Sequence, residues 1–262
     1  MRAPDPIAFT LFGIDVRWYG ILIAVALIIA LVLALRRSRV YGISEDDITD
    51  FFLALIPAII VGARAYYVIF EWDYYAVHPE EILAVWNGGL AIHGGIIAGI
   101  LVGIIMCRVK QISFWTLADT VIPGLPLGQA IGRWGNFFNQ EAHGVQTNLP
   151  WAIVVNDSKL GVIRVHPTFL YESIWDLMVF GLLLWYEKKG KRCDGEVFFL
   201  YLILYAAGRF WIEGLRTDSL MILGLRAAQV ISIVMMVAGG IGLAWFRKKS
   251  RDQKMPCHGS DR

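Results

Sequence analysis

WYGILIAVALIIALVLALRRSR, running from Trp18 to Arg39, decides the class of this protein. About twenty of its residues pass without a charge, the length a helix needs to cross ~30 Å of hydrocarbon. The run is longer than the apolar part of a secretory leader, and no small-residue cleavage site follows it, so it is expected to stay in the chain. It ends in Arg36, Arg37 and Arg39, a stop-transfer flank.

Outward from that run the same pattern recurs. The 262 residues are 57% hydrophobic and only 18% charged, whereas soluble domains average about 25% charged. Apolar stretches predict helices near 18–36, 48–70, 88–107, 114–131, 169–186, 196–214 and 226–246. The fourth is interrupted by Pro123, Gly124 and Pro126, which membrane spans tolerate only where protein or water meets the freed carbonyls. Residues 132–168 are too polar and too rich in Gly and Asn for a plain span. They are read as a long outer loop, partly re-entrant or surface-lying, that ends at His166-Pro167. With no linker, fixed-period repeat or low-complexity segment, the expectation is one integral membrane domain over 1–262: all-α, polytopic, with seven transmembrane helices and a short polar tail over 248–262.

Orientation follows from lysine and arginine placement rather than from the net charge of +2. Positive clusters follow the first helix (Arg36, Arg37, Arg39), the third (Arg108, Lys110), the fifth (Lys188, Lys189, Lys191, Arg192) and the seventh (Arg247, Lys248, Lys249, Arg251, Lys254). The connection from Glu71 to Asn87 has no Lys or Arg, and the one after the sixth helix has only Arg216 and Arg226. The amino terminus is therefore expected outside and the carboxyl terminus in the cytoplasm. Cys107, Cys193 and Cys257 all fall on the cytoplasmic side of that scheme, where thiols stay reduced. No disulfide is expected, and no His/Cys spacing suggests a metal.

Charged groups at membrane depth are costly and point first to function. They are Arg64, His93, Asp119, Glu172, Asp176, Arg209 and Glu213, with Arg133, Asn136, Asn139 and Glu141 in the outer loop. His93 precedes Gly94-Gly95. It reads equally as an interfacial histidine beside a close-packed glycine surface and as a general base or ligand contact. Gly132-Arg133-Trp134-Gly135-Asn136-Phe137-Phe138-Asn139-Gln140-Glu141 is the densest polar cluster. Its glycines let the backbone turn, and its arginine suits a phosphate because the guanidinium fork donates two parallel hydrogen bonds. The plainer alternative is an interface loop in which Arg133 pairs with Glu141 or with lipid headgroups.

Tyr205, Arg209 and Glu213 are spaced four apart on one helical face, and Arg216 lies a turn beyond. Either Arg209 and Glu213 are a structural ion pair, or the stripe helps to build an anion site with Arg133. In His166-Pro167-Thr168-Phe169-Leu170-Tyr171-Glu172, a capped helix start accounts for Pro167 and Glu172, with Glu172 free to pair with one of the arginines. Trp18 and Tyr19 are ordinary interface anchors.

Together these motifs resemble the bacterial prolipoprotein diacylglyceryl transferases. The likeness runs from Trp18-Tyr19-Gly20 through His93-Gly94-Gly95, Gly132 to Gly144 and His166 to Glu172, ending with Tyr205 to Arg216. The pattern GR-x-GNF-x-N-x-E-x-x-G around Arg133 is the specific part. The resemblance implies a seven-helix enzyme of the bacterial cytoplasmic membrane with its active site on the outer side. Such an enzyme transfers the diacylglyceryl group of phosphatidylglycerol to the lipobox cysteine of a prolipoprotein and releases glycerol 1-phosphate.

It further implies that Arg133 and Arg209 bind phosphatidylglycerol. Tyr19, His93, Asn136, Glu141, Gly144 and Tyr205 fall on other important positions, and Glu213 and Arg216 on a glutamate–arginine pair. Two departures stand out: some members have Gly at the position of Gln140, and Trp-Gly-Arg where this chain has His143-Gly144-Val145. An arginine role after Gly144 does not carry over.

The implied chemistry suits these residues. The nucleophile is the substrate's thiol, so no catalytic Ser or Cys is needed, and His93 is the expected base. Arg133 and Arg209 would stabilise the departing phosphate, while Asn136, Tyr19 and Tyr205 orient headgroup oxygens and Glu141 holds an arginine. Glu172, Glu213 and Arg216 are read as support. The expected partners are phosphatidylglycerol, a lipobox signal peptide and membrane lipid, with no cofactor, metal or nucleic acid. A transporter is the main alternative, but no internal repeat is present and the polar groups crowd to one side. An intramembrane protease lacks a serine or paired-aspartate motif. A lipid-binding scaffold would need the site to be incomplete.

Overall fold

In the computed structural model of the chain, which describes residues 4–157, 161–217, 219–222 and 224–253, the apolar runs are helices. Before the first of them, β1 (Ile7–Leu11) and β2 (Ile14–Arg17) form an antiparallel hairpin. Its turn residues Phe12 and Gly13 take φ of 50° and 81°, the paired positive values of a tight two-residue turn. Next come α1 (Trp18–Tyr41), α2 (Glu45–Phe70), a short α3 (Trp72–Tyr75) and α4 (Ile92–Lys110). After them, α5 (Phe114–Val121) and α6 (Gly124–Asn139) lead to the hairpin of β3 (Ile153–Asp157) and β4 (Gly161–Val165). The chain finishes with α7 (Thr168–Lys189), α8 (Glu196–Glu213), β5 (Met221–Ile222), β6 (Leu225–Arg226) and α9 (Ala227–Gln253).

Among the described residues, α1, α2, α4, α7 and α9 are long and apolar enough to cross a membrane. Their outward faces are aliphatic: Ile28, Val61 and Val234 are 61%, 67% and 62% exposed, a surface that a water-facing helix does not carry. Five is fewer than the seven expected, for two local reasons. The 18 residues of α8 include Glu196, Arg209 and Glu213. The fourth expected span is divided before Gly124 into α5 and α6, of 8 and 16 residues. Further along, α6 continues through 132–139, which had been expected as loop, and α9 continues past 248. Cys257 and the rest of the expected tail lie outside the described residues.

The chain packs as two compact units: residues 35–120, and residues 1–34 with 121–262. In the first unit α2 and α4 pack without room for side chains at their crossing. A Cβ on Gly62 would meet Ala98 Cβ at 2.5 Å, and one on Gly94 would overlap Gly62 O. This is close small-residue packing of membrane helices. Ser44 caps α2 by accepting from Asp47 N at 3.0 Å. Arg37, expected as a flank, is buried and donates to the backbone carbonyls of Thr120 (3.0 Å) and Asp119 (2.8 Å), which gives this arginine a structural role.

Arg64 is likewise structural. Its guanidinium donates to the carbonyls of Glu81 (2.6 Å), Ile82 (2.8 Å), Gly88 (2.8 Å) and Gly89 (3.0 Å), fixing the segment between α3 and α4.

The second unit carries the candidate site. Phe137 at the end of α6, Phe169 at the start of α7, and Ile153, Val155 and Val165 of the hairpin form one buried cluster. Residues 140–157 and 161–167 are thus a small β-structured cap on α6 and α7. At the far end of α7, the fully buried Glu196 accepts from Tyr186 Oη (2.5 Å) and Arg192 N (3.0 Å), with Arg247 Nε at 3.2 Å. That knot ties α7, α8 and α9 together.

Candidate functional site

The glycines of the 132–141 stretch do not turn the chain. Gly135 sits inside α6 against the Tyr19 ring, where a Cβ would overlap Tyr19 Cδ2. Gly132 faces Ile23. Gly135 therefore lets α1 lie against α6, and the helical backbone beside it carries Arg133. The actual turn comes later, at Gln140 and Ala142, with φ of 54° and 56°.

Arg133 does not pair with Glu141. Its Nε lies 2.5 Å from Oε2 of Glu172, in the first turns of α7, and that carboxylate is only 5% exposed. Arg209, on α8, donates from Nη1 to Glu172 Oε1 at 2.7 Å. The same guanidinium approaches Glu213 Oε2 through Nη2 at 2.6 Å. Arg216 Nη1 reaches to 3.5 Å from Glu172 Oε1. Three arginines, one from α6 and two from α8 and its end, thus converge on one buried carboxylate. The contacts differ in quality. Arg209 to Glu172 is an aligned hydrogen bond, whereas Arg133 Nε and Glu213 Oε2 are buried at ion-pair distance without an aligned one.

Gly144 explains how Arg216 is held. It pairs with Arg216 as an antiparallel bridge, and Val145 N donates to Leu215 O at 2.8 Å. A Cβ at Gly144 would lie 2.7 Å from His166 Cβ and 3.0 Å from Leu215 O. The position excludes a side chain, so Gly144 acts through backbone geometry. Next to it, His143 Nδ1 faces Gly144 O at 3.3 Å, and Thr217 Oγ1 donates to His143 O at 3.3 Å. Arg226 adds a brace, its Nη1 donating to the carbonyls of Glu213 and Arg216.

Arg133, Glu172, Asp176, Tyr205 and Arg209 line one cavity of about 10 Å³, room for roughly one water. Trp175 and Gly208 also line it. Sequence reading passed over both, although Trp175 stands three residues after Glu172 on the same helix and Gly208 immediately precedes Arg209. Asp176 Oδ2 is buried there without a hydrogen-bond partner among the described residues.

Glu141 belongs to a neighbouring group instead. Its Oε1 accepts from Asn136 Nδ2 at 3.0 Å and Asn139 Nδ2 at 3.2 Å, so it holds two amides rather than the arginine expected from sequence. His93 lies in the other unit, exposed in the first turn of α4, with its ring centroid 5.9 Å from that of Tyr66. Glu196 was also missed; its signal is a glutamate opening an apolar run.

Comparison with known proteins gives a consistent result. A family profile described as prolipoprotein diacylglyceryl transferase matches residues 6–245. A phosphatidylglycerol–prolipoprotein diacylglyceryl transferase of Clostridioides difficile is 51% identical over 248 residues, covering 95% of this chain and 98% of the relative. The protein of that name from Finegoldia magna is 48% identical over 245 residues, covering 94% and 97%. The one from Bacillus licheniformis is 48% identical over 258 residues, covering 95% of each.

Proposed function

This chain belongs to the prolipoprotein diacylglyceryl transferase family, and from that premise we infer that it moves the diacylglyceryl group of phosphatidylglycerol onto a prolipoprotein cysteine. It is a transferase of lipoprotein biosynthesis. The observation that carries the reading at the level of residues is the convergence of Arg133, Arg209 and Arg216 on Glu172, beside a cavity. A buried cluster rich in guanidinium suits a phosphodiester, which the planar forks bind through paired charge-assisted hydrogen bonds.

In the reaction, the sulfur of the lipobox cysteine attacks the glycerol carbon that bears the phosphate. The S–C bond forms as the C–O bond breaks, and the electron pair leaves on the phosphate oxygen of glycerol 1-phosphate. His93 takes the thiol proton. Arg133 and Arg209 stabilise charge growing on the leaving phosphate, where exclusion of water strengthens each interaction. Tyr205, at the cavity wall, orients headgroup oxygens, as do Asn136 and Tyr19; Glu141 holds the Asn136 amide. Glu172, Glu213 and Arg216 fix the arginine forks, and Gly144 fixes Arg216.

Both substrates carry long apolar portions, two acyl chains and a signal-peptide helix, so they reach the site laterally between helices. The chain is a multi-pass protein of the bacterial cytoplasmic membrane, with α8 and the α5–α6 pair completing seven crossings. Its amino terminus and the site lie on the outer side. The positive clusters after α1, α4, α7 and α9 support that orientation.

The test is direct. Protein purified in detergent is mixed with phosphatidylglycerol and a lipobox peptide containing one cysteine. The peptide is expected to gain one diacylglyceryl group with release of glycerol 1-phosphate, and Arg133→Ala to lower that rate by about 10²–10³-fold. Folded protein that gives no mass shift and no release would defeat the reading.

A further inference from the structure

We propose that Glu172 is an exchange anion: the arginines hold its carboxylate while the site is closed, release it to the lipid phosphate, and reclaim it as the phosphate product departs. The idea rests on the transferase reading and deepens it. Both oxygens of Glu172 are occupied, Oε2 by Arg133 at 2.5 Å and Oε1 by Arg209 at 2.7 Å, with Arg216 at 3.5 Å. At 5% exposure the carboxylate gets little help from water, so it depends on these cations.

The cavity beside them, about 10 Å³, does not hold a phosphate while the side chains stand as they do. A phosphate gains its place by taking over donors that now face Glu172. The means are present: Arg133 Nε faces Oε2 at ion-pair distance without an aligned hydrogen bond, so of the two short contacts to Glu172 it is the less directional one to give up.

The charges favour a cycle. Three guanidiniums face Glu172 and Glu213, with Asp176 on the same cavity, so a phosphodiester monoanion enters a cluster whose positive charges already face carboxylates. The glycerol phosphate product is a monoester and carries ~1.5–2 negative charges. With it in place the cluster is negative in excess, and product and carboxylate compete for the same three forks. Glu172 thereby opposes product retention. It is a positioning residue that acts through the arginines.

The test measures binding of glycerol 1-phosphate in detergent by calorimetry, together with steady-state transfer. Glu172→Gln is expected to bind glycerol 1-phosphate about fivefold or more tightly than the native chain, the low end of coupling between two ligands. KM for phosphatidylglycerol is expected to fall while kcat does not rise. Glu172→Asp keeps the charge but withdraws it by one methylene; it should fall between the two, and it decides alone if the amide variant does not fold. Unchanged or weaker affinity in these variants overturns the exchange, since a residue that merely supports the arginines would weaken binding when altered. Native protein that binds no glycerol 1-phosphate overturns it too. Native protein that binds the product but transfers nothing counts against the transferase reading and leaves the exchange standing.

Discussion

Arg64 and Arg209 are both arginines set in apolar helices, and their partners separate their roles. Arg64 spends its donors on four backbone carbonyls, neutral acceptors that cannot move independently of the chain. Arg209 faces the carboxylates of Glu172 and Glu213, charged side chains that can move independently of the backbone. Both residues are equally conspicuous in the sequence, because the expense of a buried charge shows without showing what meets it. Glu172 was half legible: its place in the first turns of a helix suggested a cap, and only the fold reveals that it is buried among three guanidiniums. His93 is the residue whose part depends most on chemistry, and replacing it with glutamine tests that part. His93→Gln is expected to lower kcat by about 10²–10⁴-fold, the usual worth of a general base, with KM for phosphatidylglycerol little changed. Transfer at the native rate would assign the base elsewhere.

Elements were legible where apolar length alone defines them. The expected spans at 18–36, 48–70, 88–107, 169–186 and 226–246 all lie on long helices, with ends displaced by a few residues. The α5–α6 region was not, because glycine is ambiguous: it permits a turn, and equally permits a helix to be approached. At Gly135 the ring of Tyr19 shows that the second applies. The β3–β4 hairpin escaped notice because its apolar residues, split between the two strands, make no run. Gly208 on α8 offers a test of close packing. A Cβ there would overlap the indole of Trp175, which is pinned by its Nε1 hydrogen bond to Leu204 O at 2.9 Å. Alanine gains ~1 kcal/mol of helix propensity but forces a displacement costing about 1–3 kcal/mol. Gly208→Ala is therefore expected to lower the unfolding temperature in detergent and to reduce transfer, because the α7–α8 contact carries both Glu172 and Arg209. A raised unfolding temperature would show that the indole moves aside freely.

For the whole molecule, the arrangement of charge predicts which end faces which compartment. With Cys107, Cys193 and Cys257 replaced by serine, single cysteines at Val162 on β4 and at Lys189 at the end of α7 are expected to report opposite sides; both positions are exposed. A membrane-impermeant thiol reagent applied to intact spheroplasts is expected to label Val162→Cys at once, and Lys189→Cys only after permeabilisation. The reverse pattern would invert the molecule. The division into two units was not legible, since no change of composition marks residues 35 and 120.

The convergence on Glu172 also sets a schedule for synthesis. Arg209 lies 37 residues beyond Glu172, and at ~5–20 residues per second a ribosome needs roughly two to seven seconds to deliver it. When that interval begins, Arg133 and Glu172, which face each other in the finished fold, have both been made, whereas Arg209 and Glu213 have not. The Arg133–Glu172 pair is thus the half of the cluster that the order of synthesis completes first, and the α8 half has to be added to a carboxylate that already has a partner within reach.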